Sequence, residues 1–72
     1  MRQHLDLRTT RCPLSWVKAK LTLEEVAIGS EVEVVVGDEK SARDLPRAAE
    51  AAGYHVAEVE AQGSVWRILI VR

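Results

Sequence analysis

The sequence predicts an α/β (α+β) fold. It reads as a two-layer β-α-β-α-β-β sandwich, a four-stranded mixed sheet with two helices on one face. Three observations lead there. Two stretches carry apolar residues at helical spacing, and they are separated by the strictly β-like run Glu31-Val-Glu-Val-Val-Val36. The four glycines, at 29, 37, 53 and 63, all fall between such stretches, where turns are needed. The last two β-like runs meet at Gln62-Gly63, a hairpin signal. Helices alternating with strands and closed by a hairpin pack most simply as one helix layer on one sheet.

His4 to Arg8 alternates loosely and reads as a short first strand. Pro13 to Val26 reads as a helix, because Trp16, Ala19, Leu23 and Val26 recur on one face. Val17 and Leu21 either widen that face or form a second apolar stripe. Gly29 supplies the turn that follows. Glu31 to Val36 is the second strand, and its alternating start and continuous β-branched end suggest one buried face, then two. Ser41 to Ala52 reads as the second helix, with Leu45, Ala48, Ala49 and Ala52 as its apolar stripe. Ser41 and Asp44 resemble a capping box. Pro46 conflicts with that start, because it would cost a helical hydrogen bond just past the first turn. Either the helix begins nearer Asp44 or it bends there. Gly53 ends it. Tyr54 to Ala61 alternates as a third strand, with Tyr54, Val56 and Val59 set against His55, Glu58 and Glu60. Val65 to Val71, dense in Ile and Val, is the last.

Seventy-two residues read as a single domain spanning 1–72. A chain this short buries only about 60% of its unfolded surface, and its single cysteine cannot form an intramolecular disulfide. The core must carry the fold, and 47% hydrophobic residues are enough for that. Cys12, His4 and His55 are too few and too scattered for a structural zinc site, so no metal and no cofactor is expected. Ten basic against eleven acidic residues give a net charge of −1, which argues against direct nucleic-acid binding. No apolar run reaches membrane-spanning length, and the first residues lack a signal peptide's apolar stretch. With one unpaired cysteine, this points to the reducing cytoplasm and to no direct membrane contact.

Cys12 is the position with chemical promise. Pro13 suits the first turn of a helix, where its missing N–H would lack a partner anyway. Cys12 is therefore expected at or beside the N-cap, facing unpaired N–H groups and the positive end of the helix dipole. Both favour the thiolate, the reactive form. The competing reading is a buried cysteine acting as a small hydrophobe. Arg8 and Arg11 flank the loop; each could stabilise a sulfur anion or dock an acidic partner, or be plain solvated charge. Lys18 and Lys20 read as the wet face of the helix. Asp6 reads as structural, pinning the loop through backbone N–H groups. Neither histidine is placed by sequence beside Cys12, so no nucleophile–base pair is indicated. Trp16 reads as core packing.

The stretch Leu5-Asp6-Leu7-Arg8 followed by Cys12-Pro13-Leu14 resembles the N-terminal signature of the TusA/SirA-like sulfur-carrier (sulfurtransferase) family, roughly L-D-x-R-G-x-x-C-P-x-P. The resemblance continues through Gly29, Gly37-Asp38, Asp44-Leu45-Pro46 and the closing hairpin from Gly63 to Arg72, so it covers essentially the whole chain. A proline in the second helix is part of that pattern, which accounts for Pro46. Thr9 stands where the family usually has Gly, and Ser15 where it usually has a second Pro.

The resemblance implies a small carrier whose cysteine, here Cys12, accepts sulfane sulfur as a persulfide and passes it on, with Pro13, Arg8 and Arg11 in support. It implies a sulfur-donor protein (a cysteine desulfurase, or a rhodanese-like or DsrE-like protein). It also implies an acceptor in tRNA thiolation, cofactor assembly or sulfur oxidation. Whether such a carrier counts as an enzyme in its own right is left open. Two alternatives remain. One is a regulatory or adaptor protein on the same fold whose cysteine carries no sulfur. The other is an RNA-binding module, disfavoured by the charge balance and by the lack of an aromatic-rich strand face.

Overall fold

The computed structural model describes residues 2–10 and 14–72. They form β1 (Arg2–Leu7), α1 (Leu14–Glu25), β2 (Glu31–Val36), α2 (Glu39–Ala51), β3 (His55–Gln62) and β4 (Val65–Val71). The strands make one mixed sheet in the order β1-β2-β4-β3, with β1 parallel to β2 and the other pairs antiparallel. This is the α+β sandwich expected from the sequence.

One face of the sheet meets the helices. Leu7, Val32, Val34, Val36, Ile68 and Ile70 point there and are buried. From the helix layer Ala19, Leu23, Val26, Ala42, Leu45 and Ala49 close the core. Strand β2 alternates strictly: Val32, Val34 and Val36 are buried, while Glu31, Glu33 and Val35 are half-buried on the outer face. The continuous apolar end therefore does not mean burial on both faces, because among the described residues no second layer covers the outside. In β3 the register shifts between Val56 and Glu58, so Val56 pairs with Ile70 and Val59 with Ile68. A bulge adds one residue to one strand. It lets two valines three apart share the core side.

The outer face is held by charge. Arg67 of β4 donates to Glu33 of β2 at 2.8 Å and to Glu58 and Glu60 of β3 at 3.2 and 2.9 Å. His4 Nδ1 of β1 lies 2.7 Å from Glu33 Oε1. The ladder thus crosses all four strands. Glu33 and Glu58 flank Leu69 in the register. An Arg67 guanidinium that bonds both must lie over Leu69, which is only 5% exposed on this open face.

Several boundaries differ from the sequence expectation. Strand β1 starts at Arg2 and stops at Leu7; Arg8 belongs to the turn beyond it. The cap of α2 is Asp38, not Ser41: the Asp38 carboxylate accepts the Ser41 N–H at 3.0 Å. The helix therefore opens at Glu39, and neither Ser41 nor a start near Asp44 is its beginning. It runs without interruption through Pro46, now two turns from the cap. Its buried residues are Ser41, Ala42, Leu45 and Ala49. Ala48 is only half-buried, and Ala52 lies past the last turn and is exposed. Gly53 ends α2 with φ +94°. Its N–H donates to Glu50 O and the Tyr54 N–H to Ala49 O, both at 3.0 Å, the paired bonds of a Schellman motif.

In α1 the buried residues are Ser15, Ala19 and Leu23, with Val26 just beyond; Trp16 packs at their margin. Val17 and Leu21 do not widen this face. With Leu14 they form a second stripe, exposed on the outer side of the helix. A single helix layer offers only one side of α1 a sheet to bury against.

Candidate functional site

Leu7 and Val36 are register partners that end β1 and β2. Because these strands are parallel, the chain leaves both at the same end of the sheet and enters a helix each time. Two helix N-termini, with the positive ends of their dipoles, therefore open beside one another. The carboxyl ends of parallel strands are where open α/β sheets place their sites.

Beyond Leu7 the chain makes a turn in which the Thr10 N–H donates to the Leu7 carbonyl at 3.1 Å. Asp6 shapes this turn. Its Oδ1 accepts the Arg8 backbone N–H at 3.1 Å and Arg8 Nε at 2.9 Å, and its Oδ2 accepts Arg8 Nη2 at 2.8 Å. The guanidinium bonds first, and the Arg8 N–H second, hold the Asp6 carboxyl below its ordinary value of 3.8. The carboxylate in turn raises the pKa of Arg8. The structural reading of Asp6 is met, and the charge of Arg8 is committed to a neighbour two residues away. On the outer face these residues line an open hollow with His4, Leu5, Val35 and Val65. Its volume of about 280 Å³ falls just short of the roughly 300–1,000 Å³ of small-molecule pockets.

The β2–α2 turn packs against the same point. A Cβ on Gly37 would lie 2.7 Å from the Arg8 carbonyl oxygen, so only glycine lets the two backbones approach this closely. One residue on, Asp38 caps α2 and holds the Ser41 N–H. The Ser41 hydroxyl turns toward α1 and meets the Ser15 hydroxyl at 3.2 Å, and both serines are fully buried. This link between the first turns of the two helices was not foreseen. The spacing of Ser15 with Ala19 and Leu23 was the available signal that it faces inward.

Arg11, Cys12 and Pro13 lie outside the described residues, so the expectations placed on them concern the sequence alone. The described chain brackets them with Thr10 and Leu14. His4 is engaged with Glu33 on the outer face, and His55 sits at the far end of β3, paired in register with Val71. Among the described residues, no group of three or more His, Asp or Glu side chains is placed to hold a metal ion. Nor, among them, is any helix long and apolar enough to cross a membrane.

A two-layer sandwich with two helix N-termini at the sheet end where the sequence continues into a Cys-Pro step defines a class of small α+β protein with one cysteine in its sequence. The family model for sulfurtransferase TusA matches residues 3–72, and the chain belongs to that family. Its relatives include proteins named "putative sulfur carrier protein". One, from Archaeoglobus fulgidus, is 40% identical over 67 residues, covering 92% of this chain and 76% of its own. Another, from Methanocaldococcus jannaschii, is 43% identical over 67 residues, covering 92% and 88%. The sulfur carrier protein TusA of Allochromatium vinosum is 31% identical over 68 residues, covering 94% and 90%. The crystal structure of a SirA-like protein from Desulfitobacterium hafniense superposes with a TM-score of 0.83 at 30% identity, covering 99% of this chain and 96% of that one.

Proposed function

We propose that the chain is one carrier domain that takes sulfane sulfur from a donor protein onto Cys12 and relays it to an acceptor protein. The observation that carries this reading is the family match across residues 3–72, a span that includes Cys12-Pro13. The Cys12 thiolate attacks the outer sulfur of a donor persulfide. A new S–S bond forms on Cys12, the donor's S–S bond breaks, and the donor cysteine leaves as a thiolate. The acceptor reverses the exchange: its nucleophile takes the outer sulfur and Cys12 leaves as a thiolate. Sulfane sulfur moves without net oxidation, so the step needs no cofactor.

With no second cysteine in the chain, the persulfide cannot be resolved internally. A proline at position 13, one before the first described residue of α1, is a residue type suited to a helix entry. Arg11 is the nearest cation in sequence to the sulfur. Arg8, tied to Asp6, holds the turn that leads to it. The exposed apolar stripe of Leu14, Val17 and Leu21, beginning two residues after Cys12, supports a protein partner. Donors of the cysteine desulfurase, rhodanese-like or DsrE-like kinds fit this chemistry, with acceptors in tRNA thiolation, cofactor assembly or sulfur oxidation. A reducing, cytoplasmic setting would keep Cys12 available.

Intact-mass spectrometry after incubation with a cysteine desulfurase and cysteine, or with polysulfide, tests the reading. The expected result is a reducible gain of one sulfur atom that Cys12→Ser lacks. No gain from any donor, with Cys12 inert to alkylation in the folded protein, overturns it in favour of an adaptor on the same fold.

A further inference from the structure

Helix α1 buries Ser15, Ala19 and Leu23 on its core side. On the opposite side Leu14, Val17 and Leu21 are 60%, 46% and 55% exposed, and Ile28, just past the helix, is 87% exposed. Aliphatic side chains lined up in water mark a surface that another molecule covers. The neighbouring helix does not continue the stripe, because the outward Arg43 and Arg47 of α2 are exposed and charged.

The charges beside the stripe indicate what covers it. An α-helix turns once in 3.6 residues. Lys18 and Glu25, seven positions apart, therefore share one flank of the stripe, and Lys20 and Glu24, four apart, share the other. All four are exposed, and among the described residues none makes an ion pair. Each flank thus carries a cation in the first half of α1 and an anion in the second. Both pairs are centred within one residue of Leu21, and Leu14 and Ile28 are centred on Leu21 itself. A second α1 laid antiparallel on the stripe, about a two-fold axis beside Leu21, meets each flank with the same flank in reverse order. Lys18 then faces Glu25 of the copy, Lys20 faces its Glu24, and Leu14 its Ile28, with every contact made twice. A parallel copy would set Lys on Lys and Glu on Glu.

We propose that α1 is a self-association surface, through which two copies of this chain pair as a symmetric dimer, apolar stripe on apolar stripe, with Lys18–Glu25 and Lys20–Glu24 contacts along its flanks. A contact of one helix per copy is small beside the about 1,200–2,000 Å² of stable interfaces, so the dimer is weak and dissociates on dilution. Dissociation frees the stripe for a sulfur partner, and the two occupants compete. The dimer does not depend on what Cys12 carries.

Sedimentation equilibrium of the full chain from about 10 µM to about 1 mM tests this. Reducing buffer excludes a disulfide between the Cys12 residues of two copies. The wild type is expected to shift with concentration from the monomer mass towards twice that mass. Leu21→Glu, at an exposed position, should weaken the dimer at least about tenfold. Lys18→Glu with Lys20→Glu, and separately Glu24→Lys with Glu25→Lys, should each weaken it by about as much, because every flank contact becomes a like-charge one. Mixing these two variants, or placing all four substitutions in one chain, should restore the dimer. That restoration, with circular dichroism on each variant, separates a lost interface from a lost fold. A wild type that stays monomeric at the highest concentration overturns the proposal and leaves the stripe to a different protein. A dimer that survives Leu21→Glu, or charge variants that associate like the wild type, overturns it too, since the copies then meet elsewhere or in another register.

Discussion

Gly37 and the Arg8 carbonyl approach so closely that a Cβ on the glycine would stand 2.7 Å from the oxygen and 3.4 Å from the Arg8 carbonyl carbon and Cα. All three contacts are backbone, so no side chain can swing aside. The φ of Gly37 is not positive; the constraint is proximity. Gly37→Ala is therefore expected to push the turn after β1 away from the β2–α2 turn and to destabilise the fold by about 1–3 kcal/mol. Urea unfolding should show a lower midpoint with an unchanged slope. A midpoint equal to wild type would mean the two turns separate freely.

Ser15 and Ser41 should show strong non-additivity in stability. Ser15→Ala leaves the Ser41 hydroxyl buried without its partner, and such a group costs about 1–3 kcal/mol. Removing both hydroxyls leaves nothing unpaired, so the double variant is expected to lose less than the two single losses added together. A double-mutant cycle by denaturant unfolding measures the difference. Strict additivity would show that the two hydroxyls do not depend on each other.

The Arg67 ladder makes acid stability testable. Hydrogen bonds from Arg67, the largest cause, hold Glu33 below its ordinary value of 4.5 against the opposing effect of burial, with His4 adding to the lowering. Glu60 is lowered chiefly by Arg67 as well. A carboxyl depressed in the folded state contributes stability that is present above the unfolded value and lost as pH falls through the folded one. The wild type should therefore lose stability as pH drops below 4.5. Arg67→Met should lose less between neutral pH and about pH 3, because its glutamates titrate nearer their unfolded values. Melting temperatures of both proteins across that range decide it. Equal acid losses would remove the ladder from the account of acid sensitivity.

Much of the fold was legible because its signals are local. The alternation of Val32, Val34 and Val36, the turn glycines and the helical spacing of Ala19 and Leu23 each act within a few residues. What was not legible is non-local or degenerate. Asp38 and Ser41 are both good caps, and only the coordinates distinguish them, because the shared cue is a short polar side chain three residues ahead of an amide. The bulge that keeps Val56 and Val59 on one side shows only in the register. The outward stripe of Leu14, Val17 and Leu21 could not be separated from a wide core face without knowing how many layers the fold has. At the site, the helix-entry logic of Cys12-Pro13 could be read from sequence. The Ser15–Ser41 link and the Gly37–Arg8 approach join residues 26 and 29 positions apart, and no periodicity reports such pairs.

Asp6 and Arg8 should prove unequal although they form one ion pair. The Arg8 side chain is 59% exposed, and among the described residues its charge meets only Asp6. Asp6 does more, since the same carboxylate accepts the Arg8 backbone N–H and so sets the turn that leads toward Cys12. Exposed ion pairs contribute little by themselves, whereas a turn residue that loses its backbone bond loses its shape. Asp6→Ala is therefore expected to slow persulfide loading of Cys12 severalfold, and Arg8→Met to slow it less, when loading from polysulfide is followed by mass spectrometry. The Asp6 carboxyl is held below 3.8 and stays ionised above that. Its contribution is thus constant across neutral pH, and the loading rate there should rise with pH only as the Cys12 thiol ionises. Slower loading in Arg8→Met than in Asp6→Ala would instead place the guanidinium at the sulfur and make the turn incidental.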